Sequence, residues 1–165
     1  MSEKKNGAMR RQDAPPERRG PDIRVERLKG GQSHDVVIFS SKLFGVFIHY
    51  DERARRSEAC LEDTDTCPGC IALKPQKWRG YLHVGTSRTR PYILELTEEA
   101  ARLFQELAGP VSSYRGLRFK FTRTAADNGR IRVEQLQYHG DMAQCVCECD
   151  IGPVLHWLWN WKRGR

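Results

Sequence analysis

No run of apolar residues in this chain approaches the roughly 18 needed to cross a bilayer, so a spanning helix is not expected. The opening stretch, MSEKKNGAMRRQDAPPERRG, is polar throughout and holds no apolar core of the kind a secretory signal needs. Negative charge is the scarcer sign, with 21 Asp and Glu against 28 Lys and Arg, a net charge of +7. That balance favours an anionic partner, nucleic acid before a membrane surface. Catalytic furniture is sparse too. No nucleophile stands beside an obvious base, and the acids are densest between Asp51 and Asp65 and at Glu98-Glu99. A zinc-deaminase reading of Cys67-Pro68-Gly69-Cys70 would need H-x-E upstream, and His49-Tyr50-Asp51 lacks the Glu. A non-enzyme is therefore expected. Six cysteines without a secretory signal point to a reducing, cytoplasmic compartment, with thiols used as metal ligands or buried rather than cross-linked.

What the chain does have is concentrated in HYDERARRSEACLEDTDTCPGC, from His49 to Cys70. His49, Cys60, Cys67 and Cys70 are four borderline-soft ligands, and Cys67 and Cys70 form a CxxC knuckle around the turn pair Pro68-Gly69. A closed Cys3His set suits tetrahedral zinc, so one structural Zn2+ is expected. A lone CxxC also fits a redox dithiol, which would want a helix directly after the first Cys inside a βαβ unit.

At 165 residues the expected organisation is a disordered basic arm over 1–22 and one domain over 23–165. Ile23–Leu28 reads as a short strand or a lead-in. Val36–Phe39 and Leu43–Tyr50 read as a hairpin or as one bulged long strand. Regular alternation would put Phe47 and His49 on one face. Trp78–Thr86 and Tyr92–Leu96 form a second pair around the basic turn Ser87–Arg90. Thr97-Glu98-Glu99 then caps a helix that Gly109-Pro110 ends. Leu117–Thr124 and Arg130–Tyr138 make a hairpin through Asn128-Gly129, with Leu117, Phe119 and Phe121 on one face and Arg118, Lys120 and Thr122 on the other. Cys145, Cys147 and Cys149 would share a strand face as small apolar side chains, because steps of roughly 6–7 Å are too wide to close round one ion. Pro153 opens a short C-terminal helix with Leu155, Leu158 and Trp159 inward, leaving Trp157 and Trp161 to pack or to meet a partner.

The strands VVIF and GVFIHY, then Cys60, DTCPGC and WRGYLHV, resemble the T-even phage single-stranded DNA-binding proteins, a zinc-containing OB-fold family of helix-destabilising proteins. The resemblance covers about residues 35 to 107. It implies an OB-like small barrel, mainly β with two short helices and a zinc-binding loop insertion. It also implies sequence-tolerant binding of single-stranded DNA in replication, recombination or repair, with a basic N-terminal arm acting in cooperative binding. Two features depart from that family. The insertion is shorter here, and the chain closes on Lys162, Arg163 and Arg165 rather than on an acidic tail.

The expected partner is single-stranded DNA, or RNA by the same chemistry, with further copies of this chain along the strand or replication and recombination proteins beside it. A basic groove would track phosphates through Lys77, Arg79, Arg88, Arg90, Arg118, Lys120, Arg123, Arg130 and Arg132, and bases would stack on Trp78, Tyr81, Tyr92 or Tyr50. The rival expectation is a zinc-stabilised adaptor that binds protein through the Trp-rich C-terminal helix.

Overall fold

The computed structural model describes residues 22–61, 64–125 and 129–159. Apart from Asp22, the basic arm lies outside the described residues, as do Asn128, Trp161 and the last cations. The protein is mainly β. Eight strands, β1 (Val25–Arg27), β2 (Ser33–Ile38), β3 (Phe44–Asp51), β4 (Arg56–Ala59), β5 (Gln76–Thr86), β6 (Thr89–Thr97), β7 (Arg118–Arg123) and β8 (Ile131–Leu136), form one mixed sheet. Two helices were expected and four are present among the described residues: α1 (Pro68–Ile71), α2 (Glu98–Ala108), α3 (Met142–Cys145) and α4 (Ile151–Leu158). Among the described residues no helix is long and apolar enough to cross a membrane.

β5 is the spine. It pairs with β6 along one edge, while β3 and β2 lie end to end along the other, at Phe44↔Tyr81 to His49↔Gln76 and at Val37↔Gly85 and Ile38↔Val84. β2 and β3 are thus two halves of one bent strand, and the hairpin alternative is set aside. The bend is held where Phe39 and Ser40 donate backbone N–H groups to the His83 carbonyl and the buried Ser40 hydroxyl accepts from the His83 N–H. The far half of β2 pairs with β7, and β7 with β8. β1 runs parallel to β6, from Val25↔Ile93 to Arg27↔Glu95. The path β1-β6-β5-β2-β7-β8 ends on β1 and β8 without a ladder joining them, so the sheet is open.

α2 begins where expected, with the Thr97 hydroxyl accepting from Ala100 N–H and Glu98 and Glu99 at the positive end of the dipole. Its apolar stripe, Ala100, Ala101, Phe104 and Ala108, lies on the main core of Val36, Ile38, Leu82, Leu94, Leu96, Phe119 and Phe121. Phe104 meets Phe119 edge-on at 4.7 Å between ring centroids. The other face of the sheet carries a smaller core in which Ile151, Val154 and Leu155 of α4 cover Val46, Ile48, Tyr81 and Ile93.

The expected strand through the C-terminal thiols is absent. The Arg115 guanidinium donates to the carbonyls of Phe39, Ala143 and Val146. Those carbonyls are therefore taken, and residues 142–146 turn through α3 instead of joining the sheet. Cys145 and Cys147 are exposed and Cys149 is half-buried, so the first two are not packing groups.

Candidate functional site

The strand pair β3–β4 delivers Cys60 to His49. Ile48↔Ala59 is the last rung of that ladder, and the Cys60 N–H then donates to the Phe47 carbonyl at 2.7 Å. Cys67 caps α1 with Pro68 at its first position, where the missing N–H costs nothing. Gly69 is required by closeness rather than by backbone angle. A Cβ there would sit 2.4 Å from the His49 ring. One helical turn on, Cys70 faces Cys60 and His49.

The ligand atoms of His49, Cys60, Cys67 and Cys70 all lie within 4.8 Å of one another, and all but Cys70 are buried. The Cys60 and Cys70 sulfurs are 3.6 Å apart, and the Cys70 sulfur is 3.4 Å from His49 Nε2. Edges of that length suit a tetrahedron, where thiolates at about 2.3 Å from an ion stand about 3.8 Å from each other. His49 Nδ1 lies 3.1 Å from the Lys74 carbonyl. Donating its proton there leaves Nε2 as a lone pair aimed inward, the usual arrangement for a ligating imidazole.

The charge balance of the thiols also calls for a cation. Burial alone would raise the Cys67 thiol, but the N–H groups of Leu61, Cys70 and Gly69 outweigh it and bring it to about 6. Burial, together with the hydrogen bonds and charge of Cys60 and Cys67, pushes Cys70 up to about 11. Three thiolates so close together ionise jointly only around a positive ion. The donor set therefore fits a metal. A one-turn helix does follow Cys67, as a redox dithiol would want. But β1/β6 is the lone parallel pair among the described strands and carries no βαβ unit, and His49 and Cys60 complete a ligand cage.

Trp78 stands directly opposite Phe47 in the β3–β5 ladder. Its indole lies across two glycines, since a Cβ on Gly45 would sit 2.0 Å from the ring and one on Gly80 2.8 Å. Trp78 is half-buried and Phe47 is 43% exposed. Phe47 was not among the expected platforms. Its signal was the period-two face Gly45, Phe47, His49, in which an aromatic keeps company with a glycine and a ligand rather than with core.

Two expected platforms are corrected. Tyr81 is fully buried under α4, donates to Glu95 at 3.1 Å and accepts from the Trp159 indole at 3.0 Å. Burial and the Glu95 charge push its phenol far above the ordinary range. Tyr92 is also buried, bonds His34 Nδ1 at 2.6 Å, and is pushed up to about 12 by burial first and by Glu26 second. Neither ring offers a face to a base. Tyr81→Phe is expected to destabilise the fold by about 1–2 kcal/mol, because Trp159 and Glu95 lose a buried partner; thermal unfolding measures it. Tyr50 remains 48% exposed, beside Lys77 and Lys74 at the far end of β3.

The predicted cations divide. Lys77, Arg79, Arg123 and Arg130 line one groove of about 310 Å³ with Trp78, Thr97 and Ile131, and Glu98 and Glu99 are on the same lining. Arg88 and Arg90 lie apart, at the β5–β6 turn beside Arg24. Arg118 is not a free cation. It holds Asp35 through two bonds, at 2.8 and 2.7 Å, and this pairing keeps the Asp35 carboxyl below its ordinary range. Lys120 sits in register between Asp35 of β2 and Glu134 of β8. The β7 face is therefore not the unbroken basic strip its own sequence implied, since the neighbouring strands supply acids. Arg123 binds the carbonyls of Leu28 and Gly129, and Arg132 is exposed on β8. Compared with protein-family models, with curated proteins and with solved structures, the chain finds no match in any of the three.

Proposed function

We propose that this chain binds single-stranded nucleic acid, DNA in the first instance, without strong sequence preference, on a strand pair braced by zinc. The observation that carries the reading is Trp78, half-buried on the lining of a groove that also holds Lys77, Arg79, Arg123 and Arg130. A stacking ring with cations around it is the minimum a single strand needs, one for the base faces and the other for the phosphates. Four cations outnumber the two acids on the lining, so the groove stays net positive. Zinc is favoured among metals because the set is three thiolates and an imidazole with tetrahedral spacing.

The strand plan supports an OB-like reading of the open sheet. The bent β2–β3 strand, β5, β6, then α2, then β7 and β8 follow the order of a five-stranded, partly open Greek-key barrel with its helix after the third strand. β1 occupies the outer edge of β6, which leaves the ring open on that side. The adaptor reading draws on one observation, Trp157 at 56% exposure on α4. Trp159, its neighbour, is instead tied to Tyr81.

Charge substitutions test the groove. In anisotropy titrations with a fluorescent oligothymidine over several salt concentrations, Lys77→Ala is expected to shallow the log-affinity against log-salt slope by about 0.7, and Arg130→Ala by less, because Glu99 lies 3.8 Å from that guanidinium. Arg118→Ala should leave the slope nearly unchanged, because Asp35 already neutralises that guanidinium. A wild-type affinity that ignores salt would move the reading to the adaptor.

A further inference from the structure

Gln76 begins β5 directly opposite His49 in the β3–β5 ladder. Its side-chain amide nitrogen lies 3.2 Å from the Cys60 sulfur and 3.6 Å from the Cys70 sulfur. One NH2 group carries two protons, so a single amide can donate to both thiolates at once. The other two ligands have their own supports. His49 is oriented by the Lys74 carbonyl, and Cys67 sits among backbone N–H groups. Cys60 and Cys70 are the pair that Gln76 serves, and no residue between Cys70 and Gln76 brings a side-chain donor to both.

We infer that Gln76 is a positioning residue for the metal, whose amide draws charge from the Cys60 and Cys70 thiolates, holds them at ligating distance and slows loss of the ion. The inference rests on the metal reading of the cluster. Its physical basis is that a donated hydrogen bond delocalises thiolate charge, which weakens attack on that sulfur by protons and oxidants while fixing its direction. The register has a second consequence. The ladder that sets Gln76 against His49 also sets Trp78 against Phe47, two residues along the same face. A well-held metal and a well-held aromatic pair therefore depend on one strand alignment.

The test uses the full chain with Gln76→Leu, which keeps bulk and removes the amide, and Gln76→Glu, which keeps shape and replaces the donors with an acceptor. Metal content comes first, and all three proteins are expected to carry about one equivalent. Zinc transfer to a chromophoric chelator is then followed in time. Both variants should release the ion about tenfold faster or more than wild type, Gln76→Glu at least as fast as Gln76→Leu. In the cobalt-substituted proteins the thiolate-to-metal charge-transfer band should move to lower energy in Gln76→Leu, because thiolates relieved of a hydrogen bond are more electron-rich. A merely structural role for Gln76 would not move that band. Wild-type release rates with an unmoved band overturn the inference and leave the metal reading standing. Wild-type protein that binds neither zinc nor cobalt overturns the metal reading itself.

Discussion

Replacing Cys67 with serine is expected to abolish stoichiometric metal and to loosen residues 64–78 while most of the sheet stays folded. The Cys67 thiol is brought down to about 6 by the N–H groups gathered round it, against the opposing effect of burial. It is thus largely a thiolate at neutral pH before an ion arrives. Serine keeps the shape, but its hydroxyl is not a thiolate donor of the kind such a site needs. The local fold has little else to hold it. α1 buries no residue, Ile71 and Leu73 are largely exposed, and Leu73 adopts a positive φ of 53°. Without the ion the knuckle loses its core. The main hydrophobic cluster under α2 uses no residue between His49 and Cys70, so it should persist. Amide exchange should accelerate about tenfold or more across 64–78 and change little in α2. Metal content near wild type in Cys67→Ser would contradict this.

Trp78→Ala is expected to weaken single-strand binding about 5- to 150-fold, the equivalent of about 1–3 kcal/mol for one stacked base. The salt slope should hardly move, since stacking releases no counterions. Part of the indole packs against the α2 core, so a fall in stability accompanies the substitution. Gly45→Val is a second way of disturbing the same ring. Its side chain would enter the space 2.0 Å from the Trp78 ring and turn the indole away without deleting it. Gly45→Val should therefore lose affinity as Trp78→Ala does. Phe47→Ala should weaken binding in the same direction at little cost in stability, its ring being 43% exposed. A Trp78→Ala protein that melts lower yet binds at full strength would make Trp78 a core residue only.

The parts legible in the sequence were those with local signals. Strand alternation placed Phe119 and Phe121 inward, Thr97 announced α2, and ligand order and spacing picked out the four residues that converge. What the sequence hid was set by neighbours across the sheet. Asp35 is far from Arg118 in the chain and bonds it only through the β2–β7 register. Tyr81 and Tyr92 follow the same composition rules as a platform residue, and only the packing of α4 and the His34 contact reveal them as core. The thiols after residue 144 alternate as a strand would. The chain instead turns through α3 there, with the Arg115 guanidinium donating to the carbonyls of Ala143 and Val146. Gln76 has no signal of its own at all, because its role depends on facing His49.

The most direct measurement is a pair of equilibrium titrations of the wild-type protein, one against single-stranded oligothymidine and one against a duplex of equal length, at matched salt. Binding to the single strand is expected to be at least about tenfold tighter than to the duplex, since stacked duplex bases cannot reach the Trp78 face. An affinity that falls linearly with log salt is also expected. Equal affinity for the two forms, or no binding to either, would contradict the single-strand reading.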